Sequence, residues 1–151
     1  MRLAMTAAAR RIFLLITILA IAGIAVSSVS LYHHYRTSKT SYCDIGENFN
    51  CDIVNRSTYS TVLGFPDALI GILGYSALLL LATLYRTRPG TAFMLLIAST
   101  LGLAFALYLT YIEAFVLDTW CILCLSSLTL IFLITVSSSF LAARFRARGG
   151  P

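Results

Sequence analysis

Two pairs of cysteines are the residues of this chain most able to do chemistry. Cys121 and Cys124 form a Cys-x-x-Cys motif, and Cys43 and Cys51 stand eight positions apart earlier in the chain. Positions i and i+3 lie on one face of a helix, so a helix that begins just before the motif brings Cys121 and Cys124 together in its first turn. The positive end of the helix dipole favours a thiolate there. The motif therefore predicts a redox-active dithiol.

Other roles for these cysteines stay open on spacing alone. Cys121 and Cys124 could be small buried hydrophobic residues, and a disulfide between Cys43 and Cys51 could simply hold a loop. A four-cysteine zinc site is a further alternative, although the separation of the first pair is wide for such a site. A βαβ pattern, which would indicate a thioredoxin fold around the motif, is absent.

The composition of the 151-residue chain is that of a membrane protein. Hydrophobic residues make up 59% of the sequence and charged residues 11%, whereas charged residues form about a quarter of a soluble domain. Four uncharged stretches are long enough to cross a bilayer. We therefore predict one all-α membrane domain over 1–151, a bundle of four transmembrane helices with a long extracytoplasmic loop between helices 1 and 2. The predicted bounds are about 12–32, 67–85, 91–112 and 120–143 for the helices and about 33–66 for the loop.

The distribution of charge predicts the orientation of this bundle. Eight of the eleven basic residues lie in the two terminal tails and the second connection, and the six acidic residues lie on or near the opposite side. The positive-inside rule then places both termini and the 86–91 turn in the cytoplasm. The net charge of +5 thus reflects topology, and no nucleic acid is expected as a partner. All four cysteines face an oxidising compartment, which implies disulfide chemistry.

Several smaller features complete this prediction. Residues 1–31 also resemble a signal peptide, but their apolar stretch is longer than a typical h-region, so a retained helix is predicted. His33 and His34 are interpreted as part of an interfacial belt. Gly71, with a second glycine three positions later, gives a flat helix surface suited to tight packing or to a flat ligand. Glu113 is interpreted as an interfacial carboxylate, with proton transfer as the alternative.

Together these features resemble the vitamin K epoxide reductase family in its compact prokaryotic form. The resemblance rests on the loop pair Cys43 and Cys51, on Ser57 six residues later, and on the Cys-x-x-Cys motif that opens the last helix. Many prokaryotic members carry a fused thioredoxin-like domain. Because this chain stops at Pro151, the resemblance leads us to expect a separate partner protein.

The resemblance implies a bundle around a quinone, with the first loop as a lid. A thioredoxin-fold dithiol protein would pass electrons to the loop cysteines, then to the membrane dithiol, and finally to a quinone of the ubiquinone or menaquinone type, which supports disulfide bond formation. Cys43 would exchange with the partner and Cys51 with Cys121. Cys124 would face the quinone, and Ser57 would support the geometry of the site. The resemblance also implies a prokaryotic inner membrane.

Two departures from animal members of that family concern the quinone site. Those members use an asparagine at the entry of the second helix and a tyrosine four residues past the motif to hold vitamin K, where this chain has Asp67 and Leu128. With Gly71 and Cys124, these are the expected quinone-binding residues. The departures argue against vitamin K epoxide reduction, which is kept as one alternative. A non-enzymatic tetraspan protein with a structural loop disulfide is the other.

Overall fold

The computed structural model describes residues 6–36, 46–88 and 90–148, so Cys43 lies outside the described residues. The chain is mostly helical, as predicted. In chain order the elements are α1 (Ala7–Tyr35), α2 (Cys51–Asn55), a 3₁₀ turn (Thr58–Ser60), β1 (Thr61–Val62), β2 (Phe65–Pro66), α3 (Asp67–Thr83), α4 (Thr91–Phe115) and α5 (Ile122–Arg148).

The four long helices form a closed ring. Helix α1 packs against α3 and α5, and α4 packs against the same two helices. The short connections from α3 to α4 and from α4 to α5 make these neighbours antiparallel, as in an up-and-down bundle. The centre of the ring is apolar, and its largest fully buried hydrophobic side chains are Phe13, Ile16, Leu95, Ile134 and Leu141.

Three of the helices, α1, α4 and α5, are long and apolar enough to cross a membrane. Helix α3 is also apolar but has 17 residues, which corresponds to a length of about 26 Å, near the lower limit for a hydrocarbon core of about 30 Å. Large apolar side chains such as Leu14, Ile18 and Leu101 point outward, because a membrane helix is hydrophobic on all sides. The membrane protein is confirmed, and spanning by α3 stays a prediction.

Glycines allow α1 and α3 to approach closely. A Cβ atom at Gly23 would overlap the ring of Tyr75, and one at Gly71 would lie 2.7 Å from the Ser27 hydroxyl oxygen. A Cβ atom at Gly74, in contrast, would meet nothing within 4 Å. The two glycines of the predicted flat surface therefore differ, since Gly71 serves helix packing and Gly74 borders open space.

Hydrogen bonds to Asn55 hold the loop between α1 and α3 onto the bundle. The Ser30 hydroxyl donates to Asn55 Oδ1 at 2.8 Å, and the Ser60 hydroxyl donates to the Asn55 carbonyl at 2.8 Å. The same carbonyl is bonded to His34 Nδ1, and His33 is fully buried. The prediction that the two histidines form an interfacial belt is therefore wrong for His33, which is buried, and His34 bonds α1 to the loop.

Candidate functional site

The structure brings the loop cysteine Cys51 together with the two membrane cysteines. Cys51 and Cys121 are 1% and 0% exposed and share one buried cluster, against which Cys124 packs. Cys51 is disulfide-bonded, whereas Cys121 and Cys124 carry free thiols. Neither thiol of the motif is thus the partner of Cys51. Among the described residues, no group of three or more His, Cys, Asp or Glu side chains could hold a metal ion.

A short stretch of backbone pairing places Cys51 beside Cys121. The residue before each cysteine takes part, since the Asn50 N–H donates to the Trp120 carbonyl at 3.1 Å. The Trp120 N–H in turn donates to the Asn48 carbonyl at 2.9 Å. The side chain of Asn50 then caps α2, so Cys51 begins that helix. Two segments about 70 residues apart in sequence are thereby joined immediately next to their sulfur atoms.

The same pairing moves the start of the last helix. The prediction that both motif cysteines lie in its first turn is wrong for Cys121, because α5 begins one residue later. Trp120 is extended where it pairs with the loop and cannot also be helical. The Cys121 carbonyl accepts the first hydrogen bond of α5, so Cys121 occupies the capping position, and Cys124 lies in the first turn.

Glu113, which the sequence analysis interpreted as an interfacial carboxylate with proton transfer as the alternative, contacts the motif. It is 1% exposed, and its Oε2 accepts a hydrogen bond from the Cys121 backbone N–H at 3.1 Å. Its Oε1 is buried without a hydrogen-bond partner among the described residues. The carboxyl group also interacts with the Cys124 thiol and, electrostatically, with Asp67. The available signal was the short turn after α4, which obliges the end of α4 to face the start of α5.

A cavity of about 320 Å³ lies between the four long helices and reaches the dithiol. Its volume is within the range of small-molecule sites. The lining is mostly apolar, with polar groups from Ser27, Ser30, Asp67, Tyr75 and Ser127, and Cys124 forms part of the wall. Cys124 therefore borders a space between the helices that an apolar molecule can occupy.

The predicted quinone-binding residues divide into two groups. Asp67, Gly71 and Cys124 line the cavity, and Leu128 is not among the lining residues. Its neighbour Ser127 does line the cavity. The Tyr75 hydroxyl donates to the Ser127 carbonyl at 2.8 Å and lies 2.9 Å from the Ser127 hydroxyl. Neither Tyr75 nor Ser127 was predicted, because hydroxyl side chains are frequent in membrane helices and carry no motif.

Ser57 lies in the loop and does not line the cavity. Its hydroxyl donates to the Val54 carbonyl at 2.9 Å, and its N–H donates to the same carbonyl at 3.2 Å. Val54 belongs to the buried cluster of Cys51 and Cys121. The contact of Ser57 with the site is therefore through the end of α2, and its predicted supporting role stays a prediction.

Most of the described arginines lie at the other end of the bundle, and the exceptions are Arg36 and Arg56. Arg10 is near the start of α1, Arg86 and Arg88 lie between α3 and α4, and Arg144 is near the end of α5. In an up-and-down bundle these positions share one end, and Cys51, Cys121 and Cys124 share the opposite end. The two ends thus differ in charge as well as in chemistry.

Comparison with known proteins agrees with this architecture. The sequence pattern described as the Vitamin K epoxide reductase family matches residues 14–139. The matched region contains all four cysteines, Glu113, and every residue that lines the cavity. Since the match covers well over half of the chain, the protein belongs to the vitamin K epoxide reductase family.

Proposed function

We propose that the protein is a quinone-dependent thiol oxidoreductase that re-oxidises a thioredoxin-fold dithiol protein. Membership of the family supports a membrane oxidoreductase related to thiol and quinone chemistry. Electrons enter at Cys43 and Cys51, pass to Cys121 and Cys124, and leave to a membrane quinone. The re-oxidised partner then forms disulfide bonds in other proteins.

One observation carries this proposal: Cys51 and Cys121 lie in the same buried cluster, and Cys124 lies in the wall of the cavity. Thiol–disulfide exchange needs a thiolate to attack a neighbouring disulfide sulfur, so a contact between the two pairs is required. A soluble partner reaches only the loop, whereas an apolar acceptor reaches only the cavity. Contact of Cys51 with the membrane dithiol connects these two environments.

The oxidation states of the cysteines fit a step of this path. With Cys51 disulfide-bonded and both motif cysteines free, the loop is oxidised and the membrane dithiol is reduced. This is the arrangement expected after two electrons have passed inward from the loop. The membrane dithiol is then ready to reduce an acceptor.

The cavity residues fit a quinone. Its flat ring requires apolar walls, which α3, α4 and α5 supply, and open space is available beside Gly74. The carbonyl oxygens of a quinone accept hydrogen bonds, and the Ser127 hydroxyl is a donor in the lining. When bound, a quinone supplies an acceptor for two electrons and two protons. Cys124, Asp67 and Gly71 are the residues that would surround it.

We place the cysteine end outside the cytoplasm of a prokaryotic cell, with all four long helices in the inner membrane. The positive-inside rule supports this orientation, because the arginine end carries Arg10, Arg86 and Arg144. Helix α3 then also spans, with the two-residue β1–β2 hairpin leading into it from the outer side. A reporter fused to the 86–91 turn tests this orientation, because the turn should lie in the cytoplasm. The orientation is wrong if the reporter shows that the turn lies outside the cytoplasm.

The test of the function is quinone reduction by the purified protein, driven by a reduced thioredoxin-fold dithiol protein. Changing any one of Cys43, Cys51, Cys121 and Cys124 to alanine should abolish turnover without unfolding the protein. A small dithiol reagent, however, should restore turnover only in the Cys43→Ala and Cys51→Ala variants, because it can reduce the membrane disulfide directly. Full turnover in Cys121→Ala and Cys124→Ala would instead favour a structural protein.

The same assay with vitamin K epoxide as acceptor tests the alternative reaction at the same site. Quinone reduction without epoxide reduction agrees with the proposal. Reduction of the epoxide at a comparable rate would extend the acceptor class and would leave the electron path unchanged.

A further inference from the structure

We propose that Glu113 is the acid–base partner of the Cys124 thiol. It gives a proton to Cys124 when the membrane disulfide is reduced and takes one back when the disulfide re-forms. This inference rests on the proposed electron path, and it adds a proton path to it.

The geometry places the carboxyl group between the two motif cysteines. Oε2 is held by the Cys121 backbone N–H at 3.1 Å, while Oε1 is buried and has no hydrogen-bond partner among the described residues. The Cys124 thiol is close enough to interact with the carboxyl group. One oxygen is therefore used for position, and the other is available for a proton.

The start of α5 explains how this site holds a negative charge. A buried carboxylate is costly unless it is hydrogen-bonded, and Glu113 faces the N-terminus of a 27-residue helix, where the dipole is positive. A second negative charge on Cys124 would lie beside the first and be repelled by it, and Asp67 adds a further acidic group nearby. Moving one proton between Glu113 and Cys124 keeps the site from holding two negative charges.

Reduction of the membrane disulfide is the first step. The Cys51 thiolate attacks the Cys121 sulfur, the Cys51–Cys121 bond forms, and the Cys121–Cys124 bond breaks. The electron pair of the broken bond stays on Cys124, which takes the proton of the Glu113 carboxylic acid. The Cys43 thiol then attacks the Cys51 sulfur and displaces Cys121, which takes the Cys43 proton. This leaves a loop disulfide, two membrane thiols and a Glu113 carboxylate.

Oxidation of the membrane dithiol is the second step. Cys124 returns its proton to the Glu113 carboxylate, the Cys121–Cys124 bond re-forms, and two electrons pass to the acceptor. The acceptor takes one proton from the Cys121 thiol and one from the aqueous phase, which replaces the proton that Cys51 released there. Glu113 ends protonated, as it began.

The decisive variant is Glu113→Gln. The glutamine amide oxygen still accepts the Cys121 N–H, so the position of the motif is kept, but it cannot exchange a proton. We expect single-turnover reduction of the membrane disulfide by a small dithiol reagent to slow by about a hundredfold, the usual size of a general acid–base contribution. Glu113→Asp should recover part of the rate. Glu47→Gln removes the only other glutamate of the chain, in the exposed part of the loop, and should leave the rate unchanged.

An infrared difference spectrum supplies a readout that needs neither quinone nor partner. Reducing the membrane disulfide should remove a protonated-carboxyl band, and that band should be missing from Glu113→Gln but present in Asp67→Asn. The proposal is overturned if Glu113→Gln is as fast as the wild type, or if the band is unchanged by Glu113→Gln. Should Glu113→Gln fail to fold, a band shifted in frequency in Glu113→Asp still supports the assignment, and an unshifted band refutes it.

This experiment separates two failures. If the band behaves as expected while the protein never reduces quinone, the acceptor in the proposed function is wrong, and the role of Glu113 stands. If quinone reduction requires all four cysteines while Glu113→Gln is fully active, the electron path stands, and Glu113 only positions Cys121.

Discussion

The two ends of the bundle are held together by different interactions. At the cysteine end, which comprises residues 46–66 and the facing ends of the long helices, hydrogen bonds join residues far apart in sequence. Ser30 bonds Asn55, and Asn50 bonds Trp120. Nearer the arginine end, hydroxyls such as those of Thr17 and Ser139 bond the carbonyl four residues earlier in their own helix, and contact between helices there is mainly apolar.

This difference indicates what each region contributes. Apolar packing is non-directional and tolerates rearrangement, so it sets the stability of the bundle more than the position of any one atom. Buried hydrogen bonds favour one arrangement, because a broken pair leaves polar groups without partners. Substitutions in the packed region should therefore change stability, and substitutions at the cysteine end should change electron transfer.

The largest expected effect on stability is that of Leu141→Ala in the packed region. Leu141 is 0% exposed, and its truncation should reduce the free energy of unfolding by about 2–5 kcal/mol, with turnover per folded molecule unchanged. Unfolding in detergent micelles and quinone reduction normalised to folded protein measure the two quantities. Leu133→Ala, on the same helix but 43% exposed, should cost clearly less. Loss of turnover in folded Leu141→Ala would show that packing and site are not separable.

The next largest effect on stability is expected at Gly23, with Gly74 as the comparison. A Cβ atom at Gly23 would overlap the Tyr75 ring, whereas one at Gly74 meets open space. Gly23→Ala should therefore cost roughly 1–3 kcal/mol through overpacking, and Gly74→Ala should cost nothing. Thermal unfolding of both variants measures this difference in stability. Equal melting temperatures would contradict the close contact of α1 with α3. Gly74→Leu should fill the cavity and weaken quinone reduction while the fold is kept.

At the cysteine end, Asn55→Ala removes the acceptor of the Ser30 hydroxyl. A buried donor without a partner costs about 1–3 kcal/mol, and α2 loses one of its bonds to α1. We therefore expect a slower transfer of electrons from Cys51 to Cys121, measured by quenched thiol alkylation after the loop is reduced. Asn48→Ala is the matched control, because that side chain is exposed and only its main chain pairs with Trp120. The comparison of the two ends fails if both variants transfer electrons at the wild-type rate.

The sequence was sufficient for the features that depend on local composition. Uncharged stretches predicted the four long helices, and α3 begins at Asp67, where the sequence analysis began its second helix. Leu63 and Gly64 both adopt positive φ, as the two-residue turn of the β1–β2 hairpin requires. The sequence analysis did not predict this hairpin.

The features that depend on pairing between distant segments could not be predicted. The start of α5 is displaced because Trp120 pairs with the loop, and no local signal reports that pairing. Glu113 and His34 are residue types that are common at membrane interfaces. Only the folded chain shows that Glu113 contacts the motif and that His34 contacts Asn55. The prediction of Cys51 as the partner of Cys121 came from the family resemblance, and spacing alone left it open.

The smallest effect is expected for Tyr75→Phe, which removes the hydroxyl bonded to Ser127 in the cavity wall. Without that bond Ser127, the proposed donor to the quinone, is held less well. A hydrogen bond contributes about 0.5–1.5 kcal/mol, so its weakening should raise the KM for quinone by up to roughly tenfold, with little change in kcat. Tyr111→Phe is the control, because Tyr111 is 59% exposed and does not line the cavity. A lower kcat with unchanged KM would instead mean that Tyr75 acts on the dithiol. Tyr75 would then contribute to electron transfer, as the residues of the cysteine end do.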